Sequence, residues 1–157
     1  MTTLDFTQVN ADVAAKVNDE LQVLLADLQL FYTNLRAFHW NVTGPNFLQL
    51  HEQYEEMYDD VADKVDEVAE RILMLGGTPN HKFSDYLNMA NIKEVGVVHD
   101  GKEIAKIILD NLKSLIAQER KVLELAGEGD DEMTNAQMSD YIADHEKLVW
   151  FFVASLK

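Results

Sequence analysis

Two histidines and three acids stand at spacings that could hold a metal ion. His39 and His51 lie twelve residues apart, across a Gly44-Pro45-Asn46 break. Glu55 follows His51 by four, which puts both on one face of a helix. Asp66 and Glu70 form a second pair four apart, in the acid-rich run DKVDEVAER. Imidazole nitrogen together with carboxylate oxygen suits Fe, Zn or Mn, and two such ligands leave the coordination sphere half empty. The competing description is an acidic helix with two incidental histidines, since acids at helical spacing usually form a solvated face.

One chain cannot close this set around one ion. Fifteen residues separate His51 from Asp66, roughly 22 Å of helix at about 1.5 Å per residue. A metal–ligand bond is only about 2 Å long. Two antiparallel copies of the helix, related by a twofold axis, bring together residues whose numbers have a constant total. His51 with Glu70 and Glu55 with Asp66 both give 121. An isologous interface would therefore make two identical sites, each with histidines from one subunit and acids from the other.

The elements that must position these residues are helical. Apolar residues recur at helical spacing in four stretches, and no strand alternation is evident. The first stretch runs from about Asn10, a cap candidate, to Trp40. It carries Val13, Val17, Leu21, Leu24, Leu28, Leu35 and Phe38, with Val23, Leu30 and Phe31 widening the stripe. The second runs from Phe47 to Leu75 and is stopped by Gly76-Gly77. A connection of about twenty residues follows, in which FSDYLNMA can form a short helix. The third is marked by Ile104 to Leu125 and closed by Gly127. The fourth is capped by Thr134 and carries Met138, Tyr141, Ile142, Leu148, Val149 and Phe152. Two helices, a long crossover and two more helices make an all-α four-helix bundle, one domain over residues 1–157. Metal-binding carboxylate bundles place Glu-x-x-His on their helices, and no glutamate here precedes a histidine by three. An apolar core is expected, with the metal site elsewhere.

Composition narrows the partners. The chain is 47% hydrophobic and 26% charged, as in a globular protein. No apolar run approaches the ~18 residues of a membrane span. The absence of cysteine rules out disulfides and fits the cytoplasm. Twenty-eight acids against thirteen lysines and arginines leave a formal charge of −15, which attracts cations and repels nucleic-acid phosphates. The first fifteen residues, MTTLDFTQVNADVAA, hold no lysine or arginine, so no DNA-binding residues are assigned.

The stretch FHWNVTGPNFLQLHEQYEEMYDDVADKVDEVAERILMLGG resembles the signature of the Dps family, the miniferritins named as DNA-binding proteins from starved cells. The resemblance implies a ferritin-like fold and a dodecamer of twofold dimers. It implies a ferroxidase that oxidises iron(II), with hydrogen peroxide preferred to dioxygen, and stores ferric oxyhydroxide inside the shell. His39, His51 and Glu55 would be ligands from one subunit, and Asp66 and Glu70 from its partner. Glu55 stands where many members have aspartate. Trp40 matches a tryptophan that supplies an electron near the site, although it reads equally well as a packing aromatic. Acids near the start of the last helix line the iron pores of some members. Two such positions are Gly127 and Ala136 here, leaving Asp130, Asp131, Asp140 and Asp144 as substitutes. His81, His99 and His145 read as ordinary loop or surface residues, and Tyr32, Tyr54 and Tyr58 as packing. The alternative function is a structural, DNA-compacting assembly with incidental metal binding.

Overall fold

A computed structural model describes residues 1–157. A four-residue helix, α1 (Leu4–Thr7), precedes the long helices α2 (Ala11–Asn41) and α3 (Phe47–Met74). The short α4 (Phe83–Met89) lies within the crossover, and α5 (Gly101–Glu128) and α6 (Glu132–Ser155) complete the bundle. Thus α2 with α3, and α5 with α6, are the two antiparallel hairpins, and the crossover joins them along α2. The sequence shows no periodic signal for α1, which is too short to carry one.

Asn10 caps α2 as expected, its side chain accepting from the N–H groups of Asp12 and Val13. Every residue from Leu24 to Leu28 is buried, because α2 is covered by α3, α4 and α5 together. That enclosure is the reason its apolar stripe is so wide. Gly44 makes the turn into α3 with φ 108°, a region other residues enter only under strain. Gly76, at φ 76°, ends α3 in the same left-handed region.

Two helix boundaries differ from the sequence expectation. Asp131, not Thr134, caps α6, its carboxylate accepting from the Thr134 N–H at 3.2 Å and the Thr134 hydroxyl at 2.5 Å. Arg71 holds the same carboxylate at 2.7 Å. Thr134 is a good cap by type, but the buried carboxylate offers stronger, charge-assisted acceptors. Helix α5 also runs past Gly127 to Glu128, with Gly129 at its end. These contacts fully engage Asp131, and Asp144 lies 3.1 Å from the Lys64 ammonium. The Asp131 carboxylate is thus buried and spent within this chain, whereas that of Asp144 stays 61% exposed.

The core is not purely apolar, contrary to expectation. Thirty-one buried apolar residues form one cluster, but Glu119 of α5 and His145 of α6 are fully buried beside them. Their Oε1 and Nδ1 atoms lie 2.7 Å apart. His145 is therefore no surface residue; α5 covers it, a contact its own helical pattern cannot reveal. His81 is exposed as expected, whereas His99, also exposed, has a structural task. Its Nδ1 N–H donates to the Asn41 carbonyl at 2.6 Å, and its carbonyl accepts from the Thr43 N–H at 3.0 Å. The end of the crossover thereby clasps the turn between α2 and α3.

Asp27 fastens the other part of the crossover. Buried in α2, it accepts from the backbone N–H groups of Asn91 at 2.6 Å and Ile92 at 2.9 Å. Burial pushes its carboxyl above the ordinary value, and these hydrogen bonds only partly offset that rise. A carboxyl with a raised folded-state pKa holds its proton more tightly folded than unfolded. Its contribution to stability is therefore fullest at low pH and is lost as pH rises through the folded value. The melting temperature of the parent relative to Asp27→Asn should fall on going from acidic to neutral buffer. A difference that grows with pH would show that the hydrogen bonds to the carboxylate outweigh its burial.

Candidate metal centre

His39 sits in the last turn of α2 and His51 in the second turn of α3, and the Gly44 turn folds one onto the other. Their rings stack with centroids 3.7 Å apart and planes 16° from parallel. Each ring is fixed by the other residue's backbone. His39 Nδ1 lies 2.7 Å from the His51 carbonyl oxygen, and His51 Nδ1 lies 2.8 Å from that of His39. A carbonyl only accepts, so both Nδ1 atoms carry the proton. Both Nε2 atoms are then left with free lone pairs, the tautomer a metal ligand requires.

Glu55 completes the local group. A nitrogen from each imidazole and a carboxylate oxygen of Glu55 all lie within 4.8 Å of one another, close enough for one cation. The three are graded in burial, His39 at 8% exposure, His51 half-buried and Glu55 exposed. The imidazoles lie inside and the carboxylate faces solvent. Asp66 and Glu70 are exposed further along α3 and do not join this group. One chain thus gathers three residues that could ligate one cation.

The surroundings include further aromatic and charged residues. Phe47 stacks on His51 with centroids 5.1 Å apart, and Tyr58 meets His39 edge-on at 5.4 Å. Partial burial, and after it the Glu55 and Asp59 carboxylates, push the Tyr58 phenol upward. The Arg36 guanidinium stands 4.8 Å from the Trp40 ring centroid and 5.6 Å from those of Tyr32 and Tyr58. Trp40 is 63% exposed and stacks on neither histidine. The available signal was spacing: Tyr58 lies seven residues beyond His51, and Arg36 three before His39, on the faces that carry the ligands. Tyr54 is a core phenol, as expected, raised to about 12 by burial and by nearby Asp100.

Residues 18–157 match the ferritin-like domain family. The DNA protection during starvation protein of Porphyromonas gingivalis is 48% identical over 151 residues, covering 96% of this chain and 95% of the relative. DNA protection during starvation protein 2 of Bacillus anthracis is 34% identical over 141 residues, covering 90% and 97%. The crystal structure of the Dps protein of Vibrio cholerae superposes with a TM-score of 0.93 at 46% identity, covering 95% of this chain and 94% of that one. Fold and site thus define a ferritin-like protein with a His/His/Glu metal group between its first two long helices. Within that class the chain belongs to the Dps family of miniferritins. It is a ferroxidase, and its function is the oxidation and storage of iron. Homo-oligomeric assembly is consistent with that membership, and no helix is long and apolar enough to cross a membrane.

Proposed function

We propose that iron(II) is oxidised at centres shared by two subunits, with His39, His51 and Glu55 from one and Asp66 and Glu70 from the other. The observation that supports this reading is the reciprocal pair of Nδ1–carbonyl hydrogen bonds, which leaves both Nε2 lone pairs free in the group that includes Glu55. A twofold-related α3 would bring Asp66 and Glu70 of the second subunit to this group. Carboxylate oxygens stabilise iron(III) over iron(II) and so favour oxidation. Two irons held close give peroxide two electrons at once; its O–O bond breaks and two protons complete two waters. Twelve chains would form the shell as twofold dimers, with ferric oxyhydroxide inside. Their acidic surfaces concentrate iron(II) around it. Hydrogen peroxide is the preferred oxidant over dioxygen, and the compartment is the cytoplasm.

The test is iron(II) oxidation followed by absorbance. Loss of an outer partner of a metal ligand already costs about 10–100-fold in affinity or activity. His51→Ala removes a ligand itself and should slow oxidation by at least that factor, while the apolar core is untouched. Oxidation at the parental rate would remove His51 from the site. Iron bound in a crystal and located by anomalous scattering would show the ligands directly.

The relatives' printed name speaks of DNA protection, which does not require contact with DNA. Phosphate binding needs lysine and arginine, and a formal charge of −15 per chain opposes it. No gel shift of duplex DNA is expected at moderate salt with divalent cations chelated. A salt-sensitive shift under those conditions would favour the DNA-compacting reading.

A further inference from the structure

The outward face of α3 has a composition that suits a second copy of itself. At about 100° per residue, His51, Glu55, Asp66 and Glu70 share one stripe with Leu48 and Leu73. That stripe lies opposite the face on which Met57, Val61 and Val68 are buried. Leu48 is 78% exposed and Leu73 52%. A single exposed leucine needs no explanation. These two stand at opposite ends of the stripe, Leu48 three residues before His51 and Leu73 three after Glu70.

The twofold relation that sets His51 against Glu70 and Glu55 against Asp66 also sets Leu48 against Leu73, whose numbers again total 121. It opposes Glu52 with Ala69 and Asp59 with Ala62. Acid therefore faces acid only at Glu55 and Asp66, where a cation would lie between them. Everywhere else on the stripe like charges are kept apart, as a specific interface requires.

We propose that Leu48 of each subunit packs on Leu73 of the other, and that these two contacts set the register at which the acids of one α3 meet the histidines of its partner. This rests on the shared-centre reading above. Where His51 and Glu70 share an ion the two helices are already close, and the leucines stand less than one turn further out. A slip of about one turn in either direction breaks both contacts. It sets Leu73 against Gly44, outside α3, or against Glu52. The leucine then stays in water or strips water from a carboxylate. Within one chain Leu48 and Leu73 lie roughly 37 Å apart along α3, at about 1.5 Å per residue, and cannot touch.

The chain has no cysteine, so a pair introduced at these positions reads the contact directly. The assembled Leu48→Cys, Leu73→Cys variant, oxidised without metal, should run as a covalent dimer on a non-reducing gel. A disulfide needs Cα atoms within about 7 Å, so Glu52→Cys with Leu73→Cys, the slipped pairing, should cross-link far less. Adding His39→Ala and His51→Ala should leave the Leu48→Cys, Leu73→Cys cross-link intact, because the contact needs no metal. Exchanged charges read the consequence. Leu48→Lys or Leu73→Glu alone should slow iron(II) oxidation by about 10–100-fold, the range for loss of groups that orient metal ligands. Both together set an ammonium against a carboxylate of the other subunit and should restore most of the rate. No covalent dimer, or one formed as readily through position 52, overturns the proposal. Single charge variants that oxidise iron at the parental rate, or a double variant no faster than either, overturn it too. If Asp66→Ala with Glu70→Ala oxidises iron as the parent does, the shared-centre reading itself fails and the register role falls with it, even where the cross-link forms.

Discussion

Mixing two inactive variants should restore about a quarter of the parental iron oxidation. One variant carries His39→Ala and His51→Ala, the other Asp66→Ala and Glu70→Ala. Alone, each forms centres that lack either both nitrogens or both partner acids. Unfolded together and reassembled, random pairing makes about half the dimers mixed. In a mixed dimer one centre receives histidines from one chain and acids from the other, while its twin receives neither. Roughly a quarter of all centres are then complete, by the symmetry of an isologous interface. Native mass spectrometry of the mixture verifies mixing, and the initial oxidation rate reports the fraction. No recovery in mixed assemblies would show that the histidines and acids never share an ion. The structure makes this a sharp test, because His39, His51 and Glu55 gather within one chain and Asp66 and Glu70 stand apart on the same helix.

Glu119→Ala should destabilise the protein more than any single change at the exposed acids. Glu119 and His145 are both fully buried, 2.7 Å apart, where α5 meets α6. The approach is close but off the ring N–H axis, and neither side chain has another hydrogen-bond partner. Removing one member strands the other among apolar side chains, at a cost of about 3–5 kcal/mol. At roughly 2–4 °C per kcal/mol for a chain of this size, the melting temperature drops by about 10 °C. Replacing the pair together, as Glu119→Leu with His145→Phe, should be near neutral or stabilising, because the lost attraction is offset by relief of two buried polar groups. Calorimetry on the single and double variants checks both. If the double variant is as unstable as Glu119→Ala, the pair contributes shape or attraction that apolar packing cannot replace.

What the sequence determined by itself was local and periodic. Apolar residues at three- and four-residue spacing are an immediate consequence of a helix with one covered face, so α2, α3, α5 and α6 were legible. Gly44 and Gly76 were legible as breaks because a left-handed turn and a helix end favour the residue without Cβ. The spacing of His39, His51 and Glu55 across that first break was enough to suggest a metal group, and fifteen residues of helix were enough to exclude Asp66 from the same ion in one chain. Partners chosen across space were not legible. The stacking of two imidazoles on each other's carbonyl bonds depends on how the Gly44 turn sets α3 against α2, and no spacing rule contains that angle. The choice of Asp131 over Thr134 as cap depended on Arg71 arriving from α3. His145 looked like a surface residue because its own helix gives it no apolar identity; only the register of α5 brings Glu119 against it and closes water out. Periodicity says which face of a helix is buried, whereas the crossing angle and register of its neighbours say what that face meets.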